Sequence, residues 1–174
     1  GPLSIYREIE ARNPDVDNVL VMGPWRHGGW SRTKGDRLGS ASFGAETSPW
    51  YQREVERRFF KHYLHPLAAA PAPVPEALVF ETGANQWHAF DAWPPAENEQ
   101  RTLYLRAHGA ITETPPTASE PAFDAFISDP DHPVPFTQEV AIGMTRNYMT
   151  DDQRFAARRP DVLVYRTEPF EEAM

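Results

Sequence analysis

Cysteine is absent from the chain. That removes a disulfide framework, a thiolate metal site and a cysteine nucleophile. It leaves the redox compartment open, because a cysteine-free protein works in either setting. Positive charge is scarce: 17 Lys and Arg face 25 Asp and Glu, for a net charge of −8. Nucleic acid and anionic membrane surfaces need a basic face, so neither is expected as a partner. No apolar run approaches the ~18 residues of a membrane span, and no secretory leader pattern opens the chain. Internal repeats are missing, and so is any G-x-S-x-G pentapeptide. What remains is 174 residues, 40% apolar and 24% charged, enough for one full domain or two partial ones with a packed core rather than disorder. Eighteen prolines and ten glycines point to many turns and short elements.

Residues Leu3 to Arg12 read as a short helix, with Ile5 and Ile9 on one face and Tyr6 beside them. Asn13-Pro14 ends it, because the residue before proline avoids helical backbone. Asn18 to Met22 is a continuous apolar run, the pattern of a strand covered on both faces in a parallel sheet. Helix, loop and buried strand make half of a doubly wound unit. A glycine-rich loop follows to about Gly44. A second helix is expected from Pro49 to Leu64, capped by Thr47 or Ser48, with Tyr51, Val55, Phe59 and Tyr63 in one stripe. His65-Pro66 stops it.

The Ala/Pro run over 67–76 is the expected domain boundary. Beyond it, Ala77 to Glu81, Arg101 to Leu105, Phe123 to Ser128 and Val162 to Tyr165 read as short strands between Pro, Asp and Gly turns, the start of an antiparallel sandwich. The chain starts at Gly1 without an initiator methionine and reads as the later part of something longer. On that reading the strand Val19 to Met22 lacks neighbours, so the part after Ala77 is expected to be better ordered than the part before Leu64.

His27 is the leading candidate for chemistry. A histidine on a glycine-rich loop just beyond a buried strand sits where α/β enzymes place reacting groups, outside the carboxyl ends of the strands. Gly28 and Gly29 allow close backbone approach, and Trp25 and Trp30 can exclude water. The bland alternative is an ordinary loop histidine between packing aromatics, and residue pattern alone leaves both open. Arg26 either binds a substrate carboxylate or braces the loop through an ion pair, and bracing is favoured. Trp87, Phe90 and Trp93 form an aromatic group that either seals an interdomain face or lines an acyl pocket. His62 and His65 have a spacing that a metal could use, but no third ligand accompanies them. Asp129, Asp131 and His132 read as a turn. Asp151 and Asp152 lack the spacing of a calcium loop. Asp15 and Asp17 read as solvated turn residues.

The stretch LVMGPWRHGGW, residues 20–30, resembles the histidine segment of the family of X-Pro dipeptidyl-peptidases, cocaine esterase and α-amino acid ester hydrolases. REVERRFFKHYL resembles the helix after that loop, and FETGANQWHAFDAWPP the entry to the family's carboxy-terminal jelly roll. FISDPDHPVPF and DQRFAARRPDVLVYRTEP resemble its later strands. The resemblance runs along essentially the whole chain. It implies an α/β plus β fold: the end of an α/β-hydrolase domain (1–66), the linker, then an incomplete jelly-roll β-sandwich (77–174). It implies a serine acyl hydrolase acting on small esters, amides or short X-Pro peptides, with His27 as the triad histidine and no cofactor or metal. In the family the serine and the acid both precede the histidine. Gly39-Ser40-Ala41-Ser42-Phe43-Gly44 is only a near miss for the serine elbow and follows the histidine. Trp25, Arg26, Trp30 and Trp87 would support the loop or line the pocket. A homo-oligomer is compatible with this picture, and export to the periplasm or outside is the weaker lean. The rival is a β-sandwich binding or interaction module without catalysis, with residues 3–64 as scaffold.

Overall fold

The computed structural model describes residues 1–65, 74–121, 123–143, 145 and 147–171. They form two compact units, residues 1–98 and 99–174. In the first unit, helix α1 (Pro2–Arg12) leads to strand β1 (Leu20–Met22). The one-turn helix α2 (Gly29–Arg32) and a hairpin of β2 (Arg37–Leu38) and β3 (Ala41–Ser42) follow. Helix α3 (Thr47–Tyr51) runs through a π-helical turn, Gln52–Glu56, into α4 (Arg57–Leu64). Strands β4 (Ala77–Glu81) and β5 (Gln86–Phe90) complete a three-stranded sheet in the order β1-β4-β5.

β1 pairs with β4 in parallel, Leu20 opposite Ala77 and Met22 opposite Val79. β5 returns antiparallel to β4. The parallel pairing expected of the apolar run 18–22 is therefore present, with a strand reaching it from beyond the Ala/Pro segment. Residues 67–73 of that segment lie outside the described residues, and β4 and β5 past it share β1's sheet. Tyr6, Leu20 and Ala77 are buried together, with Met22, Phe90 and Trp93 packed on them. The Tyr6 hydroxyl donates to Glu76 Oε1 at 2.8 Å. Burial, then that carboxylate, push the Tyr6 hydroxyl up to about 12. Asn18 Nδ2 donates to Tyr6 O at 3.2 Å and to Glu10 Oε1 at 2.7 Å, fixing α1 to the start of β1.

Four expectations about elements are corrected. Thr47 and Ser48 do not cap the second helix: both are buried inside its first turn, and the preceding Glu46 makes no side-chain cap. The helix is not continuous α but widens into the π turn after Tyr51. Its stripe buries Val55, while Tyr63 and Leu64 at the far end are exposed. Phe123 to Ser128 and Val162 to Tyr165 form no strand.

Among the described residues the second unit holds one antiparallel hairpin. β6 (Tyr104–Arg106) pairs with β7 (Ala110–Thr112), and a parallel bridge joins Ala110 to Arg166. Among the described residues its buried apolar side chain is Ala156, whereas Tyr6, Leu20, Phe43, Val55, Ala77, Leu78 and Phe80 are buried in the first unit. Most of the described buried apolar side chains therefore lie in the unit that carries β1, on both sides of the Ala/Pro run.

An ion pair organises the hairpin instead. Arg106 Nε donates to Glu120 Oε2 at 2.8 Å, Nη2 reaches Oε1, and Nη1 donates to Thr114 O at 2.8 Å. The Arg106 guanidinium, helped by the Thr117 N–H, holds the Glu120 carboxyl down to about 2. A carboxyl depressed in the folded state stabilises above its unfolded value and loses that contribution as pH falls through the folded one. The second unit is therefore expected to weaken between pH 4.5 and about 2. The protection of the Ile111 amide, which donates to Arg166 O at 2.8 Å, measured against its intrinsic exchange rate at each pH, should fall over that interval in the wild type and much less in Glu120→Gln. An equal loss of protection in both proteins would show that the pair is not responsible.

Candidate active site at the carboxyl end of β1

β1 ends at Met22, and Gly23-Pro24 carry the chain out of the sheet. The Trp25 indole folds back over Gly23, where a Cβ would lie 2.2 Å from the ring, so only glycine fits. Gly28 adopts φ +71°, a left-handed turn that L side chains disfavour, and starts α2. The Gly29 N–H donates to Arg26 O at 2.8 Å and closes the turn around His27. The strand, the folded-back indole and the glycine turn thus leave His27 at the crest of a tight loop.

The first turns of α3 hold that loop. Trp25 Nε1 donates to Thr47 Oγ1 at 2.8 Å, and Thr47 Oγ1 donates to Gly35 O at 2.6 Å. Ser48 Oγ donates to Gly29 O at 3.4 Å. Gln52 Nε2, on the π turn, donates to Trp30 O at 2.6 Å. Thr33 Oγ1 donates to Gly29 O at 2.9 Å from within the loop. Behind Trp25 stands an aromatic stack. Tyr51 lies at 5.0 Å and Trp87 at 5.7 Å from it, and Trp50 stacks on Trp87 at 5.0 Å. Phe80 meets Trp87 edge-on at 5.3 Å.

His27 is exposed and stands edge-on to Trp30 at 6.4 Å. Among the described residues it makes no hydrogen bond and no ion pair. It lines an open cleft of about 400 Å³ with Val21, Met22, Trp25, Arg26, Trp30 and Tyr51. Burial, then the Glu56 charge, push the Tyr51 hydroxyl up, so it stays a neutral donor. An imidazole is the side chain that takes and returns a proton near neutrality, and this one is presented beside an apolar aromatic wall.

The other sequence candidates fall as follows. Trp25, Arg26 and Trp30 line the cleft with His27; Trp87 does not, and instead backs Trp25. Arg26 makes no ion pair among the described residues, so the expected bracing carboxylate is not found there, and the loop is braced by Thr47, Ser48 and Gln52. Phe90 and Trp93 pack with each other at 5.4 Å on the β1 core, separate from Trp87. His62 and His65 are exposed, and no group of three metal-ligating side chains occurs among the described residues. Asp17, read as solvated, accepts from the Tyr63 hydroxyl at 2.7 Å. Ser42 sits in the β2–β3 hairpin, not on a strand-to-helix elbow. Asp129 and His132 close a turn on each other at 2.8 Å, and Asp152 caps the Arg154 N–H at 3.0 Å. Sequence reading missed Thr47, Ser48 and Gln52 because a Ser/Thr pair ahead of a helix has the composition of a cap.

Comparison with known proteins supplies the family. Residues 72–174 match the model of the X-Pro dipeptidyl-peptidase C-terminal non-catalytic domain. His27 and its loop lie ahead of that match. The chain is 30% identical over 172 residues to cocaine esterase of Rhodococcus sp. (strain MB1 Bresler), covering 93% of this chain and 29% of the esterase. An aminopeptidase from the marine sediment archaeon Thaumarchaeota archaeon superposes with a TM-score of 0.85 and 37% identity, over 99% of this chain and 29% of that one. An alpha-amino acid ester hydrolase superposes with a TM-score of 0.83 and 36% identity, with the same coverages of 99% and 29%. The chain thus spans under a third of the length of these relatives. It belongs to the X-Pro dipeptidyl-peptidase and cocaine-esterase family of hydrolases, whose C-terminal portion it matches.

Proposed function

We propose that this segment supplies the general base of a serine acyl hydrolase, and that His27 is that base. The serine and the acid would come from other parts of the polypeptide. The carrying observation is His27 itself, exposed, without a hydrogen bond among the described residues, and held on the loop at the carboxyl end of β1 beside an aromatic-walled cleft. In the reaction, Nε2 or Nδ1 would take the proton of the serine hydroxyl as it attacks an acyl carbonyl. The same imidazolium would then protonate the leaving alkoxide or amine. Trp25, Trp30 and Tyr51 would exclude water and hold an apolar acyl group. Substrates of this class are small esters, amides or short peptides, and the chemistry needs no cofactor. Residues 77–174 would be the start of a jelly roll, of which β6, β7 and the Ala110–Arg166 bridge are the paired part of the later unit. A purely binding role for the whole chain is less well supported, because the bracing from α3 converges on the loop that carries His27.

On this reading the chain alone does not turn over esters, since removing triad members leaves only a small residue of catalysis. Purified chain assayed with a p-nitrophenyl ester and an aminoacyl-proline substrate should match the buffer rate. Turnover that is lost in His27→Ala and blocked by a serine-directed phosphonate would mean that a nucleophile lies within these residues.

A further inference from the structure

We infer that Thr47 is a positioning residue for His27, acting as a clasp across the base of the catalytic loop. The inference rests on the reading of His27 as the general base. The Thr47 side chain is buried, with only 2% of the residue exposed. Its single hydroxyl makes two bonds to opposite ends of the loop, accepting from Trp25 Nε1 at 2.8 Å and donating to Gly35 O at 2.6 Å. A hydroxyl offers one donor and two acceptor sites, so one oxygen can do both at once. Trp25 stands just before His27, and its ring covers the strand end from which the loop departs. Gly35 is where the loop turns back, at φ +65°, with Ser48 Oγ, Thr47 Oγ1 and Trp25 Nε1 all within 2.6 Å of where a Cβ would stand. The loop is thereby closed on itself through an atom belonging to α3.

A helix cap needs no such arrangement, and Thr47 caps nothing. His27 has no hydrogen bond of its own among the described residues, so within this segment the loop backbone and the Trp30 edge set its position. Losing the clasp lets Trp25 and the crest shift, and a misplacement of about 1 Å at a reacting group costs on the order of 10²-fold in rate.

The test uses the full-length enzyme that carries this segment, assayed with a p-nitrophenyl ester and normalised by titration of active sites with a phosphonate. Thr47→Val keeps shape and removes both bonds; Thr47→Ser keeps both bonds. Thr47→Val should lower kcat per active site on the order of 10- to 100-fold, with KM within about threefold. Thr47→Ser should stay within about threefold of wild type on both. Trp25→Phe, which removes the donor at the other end and keeps a ring over Gly23, should also lower kcat, and it serves as the test if Thr47→Val does not fold. Unchanged kcat in whichever of these folds overturns the clasp, as does an equal loss in Thr47→Ser. A parallel His27→Ala separates the two levels. If it abolishes turnover while Thr47→Val leaves kcat unchanged, the clasp alone fails. If His27→Ala keeps its turnover, the general-base reading fails and the clasp with it.

Discussion

Replacing His27 with alanine in the full-length enzyme is expected to lower kcat by roughly 10³-fold or more, the scale on which a triad base is lost. That corresponds to about 4 kcal/mol of transition-state stabilisation. Within this segment the side chain is exposed and makes no hydrogen bond among the described residues, so its removal breaks none of the bonds that hold the loop. Circular dichroism and the melting temperature should therefore stay at wild-type values while turnover collapses. Changing His62 and His65 together is the matched control. Both are exposed near the end of α4, away from the cleft, and surface changes of this kind rarely cost more than about threefold. Residual His27→Ala activity within tenfold of wild type would remove the histidine from the mechanism. A double mutant that lost activity, with chelators reproducing the loss, would revive a metal at α4.

The outline of this site was legible from local pattern. α1 was expected from Leu3 and starts at Pro2, β1 lies inside the expected 18–22, and the glycines around His27 fall where the backbone turns. These features follow from chain-local sterics: proline stops, glycine φ and an apolar run with no polar face. What the pattern left hidden depends on partners distant in sequence. β5 reads Gln-Trp-His-Ala-Phe, too polar for a buried strand, and it forms because β4 offers it an antiparallel edge through a tight turn. Phe123 to Ser128 has the apolar residues of a strand but pairs with no strand among the described residues. Phe123 and Ile127 are 79% and 83% exposed, and strand propensity expresses packing against neighbours more than any preference of the residue itself. The same holds at the site. Thr47 and Ser48 have the composition of a cap, and only the folded loop shows that their hydroxyls bond its backbone, at Gly35 O and Gly29 O. Composition marks a change at 67–76, packing divides the chain after Asn98, and the family model begins at residue 72. Composition records the Ala/Pro run, while packing records that β4 and β5 complete a sheet begun by β1.

Gly35→Ala is expected to be among the most damaging single-methyl additions in the first unit. Two costs act together. At φ +65° an L residue is strained by about 1–2 kcal/mol. The new Cβ would also stand 2.3 Å from Ser48 Oγ, 2.5 Å from Thr47 Oγ1 and 2.6 Å from Trp25 Nε1. Ser48 is fully buried and Thr47 nearly so, and both sit in the first turn of α3, so neither can swing away. Overpacking of this kind costs about 1–3 kcal/mol, which brings the total to about 2–5 kcal/mol. For a unit of this size that lowers the melting temperature by on the order of 10 °C or more. Gly44→Ala isolates the two contributions. Gly44 has φ +73° but nothing within 4 Å of its Cβ position, so it should show only the backbone cost. Urea titrations followed by tryptophan fluorescence report this unit alone, because all five tryptophans lie before Asn98. The midpoint should fall clearly further for Gly35→Ala than for Gly44→Ala, with the Trp25 environment altered in the former even before unfolding. Equal losses in the two variants would mean that α3 does not press on the loop at Gly35, and the bracing of His27 from that helix would have to be abandoned.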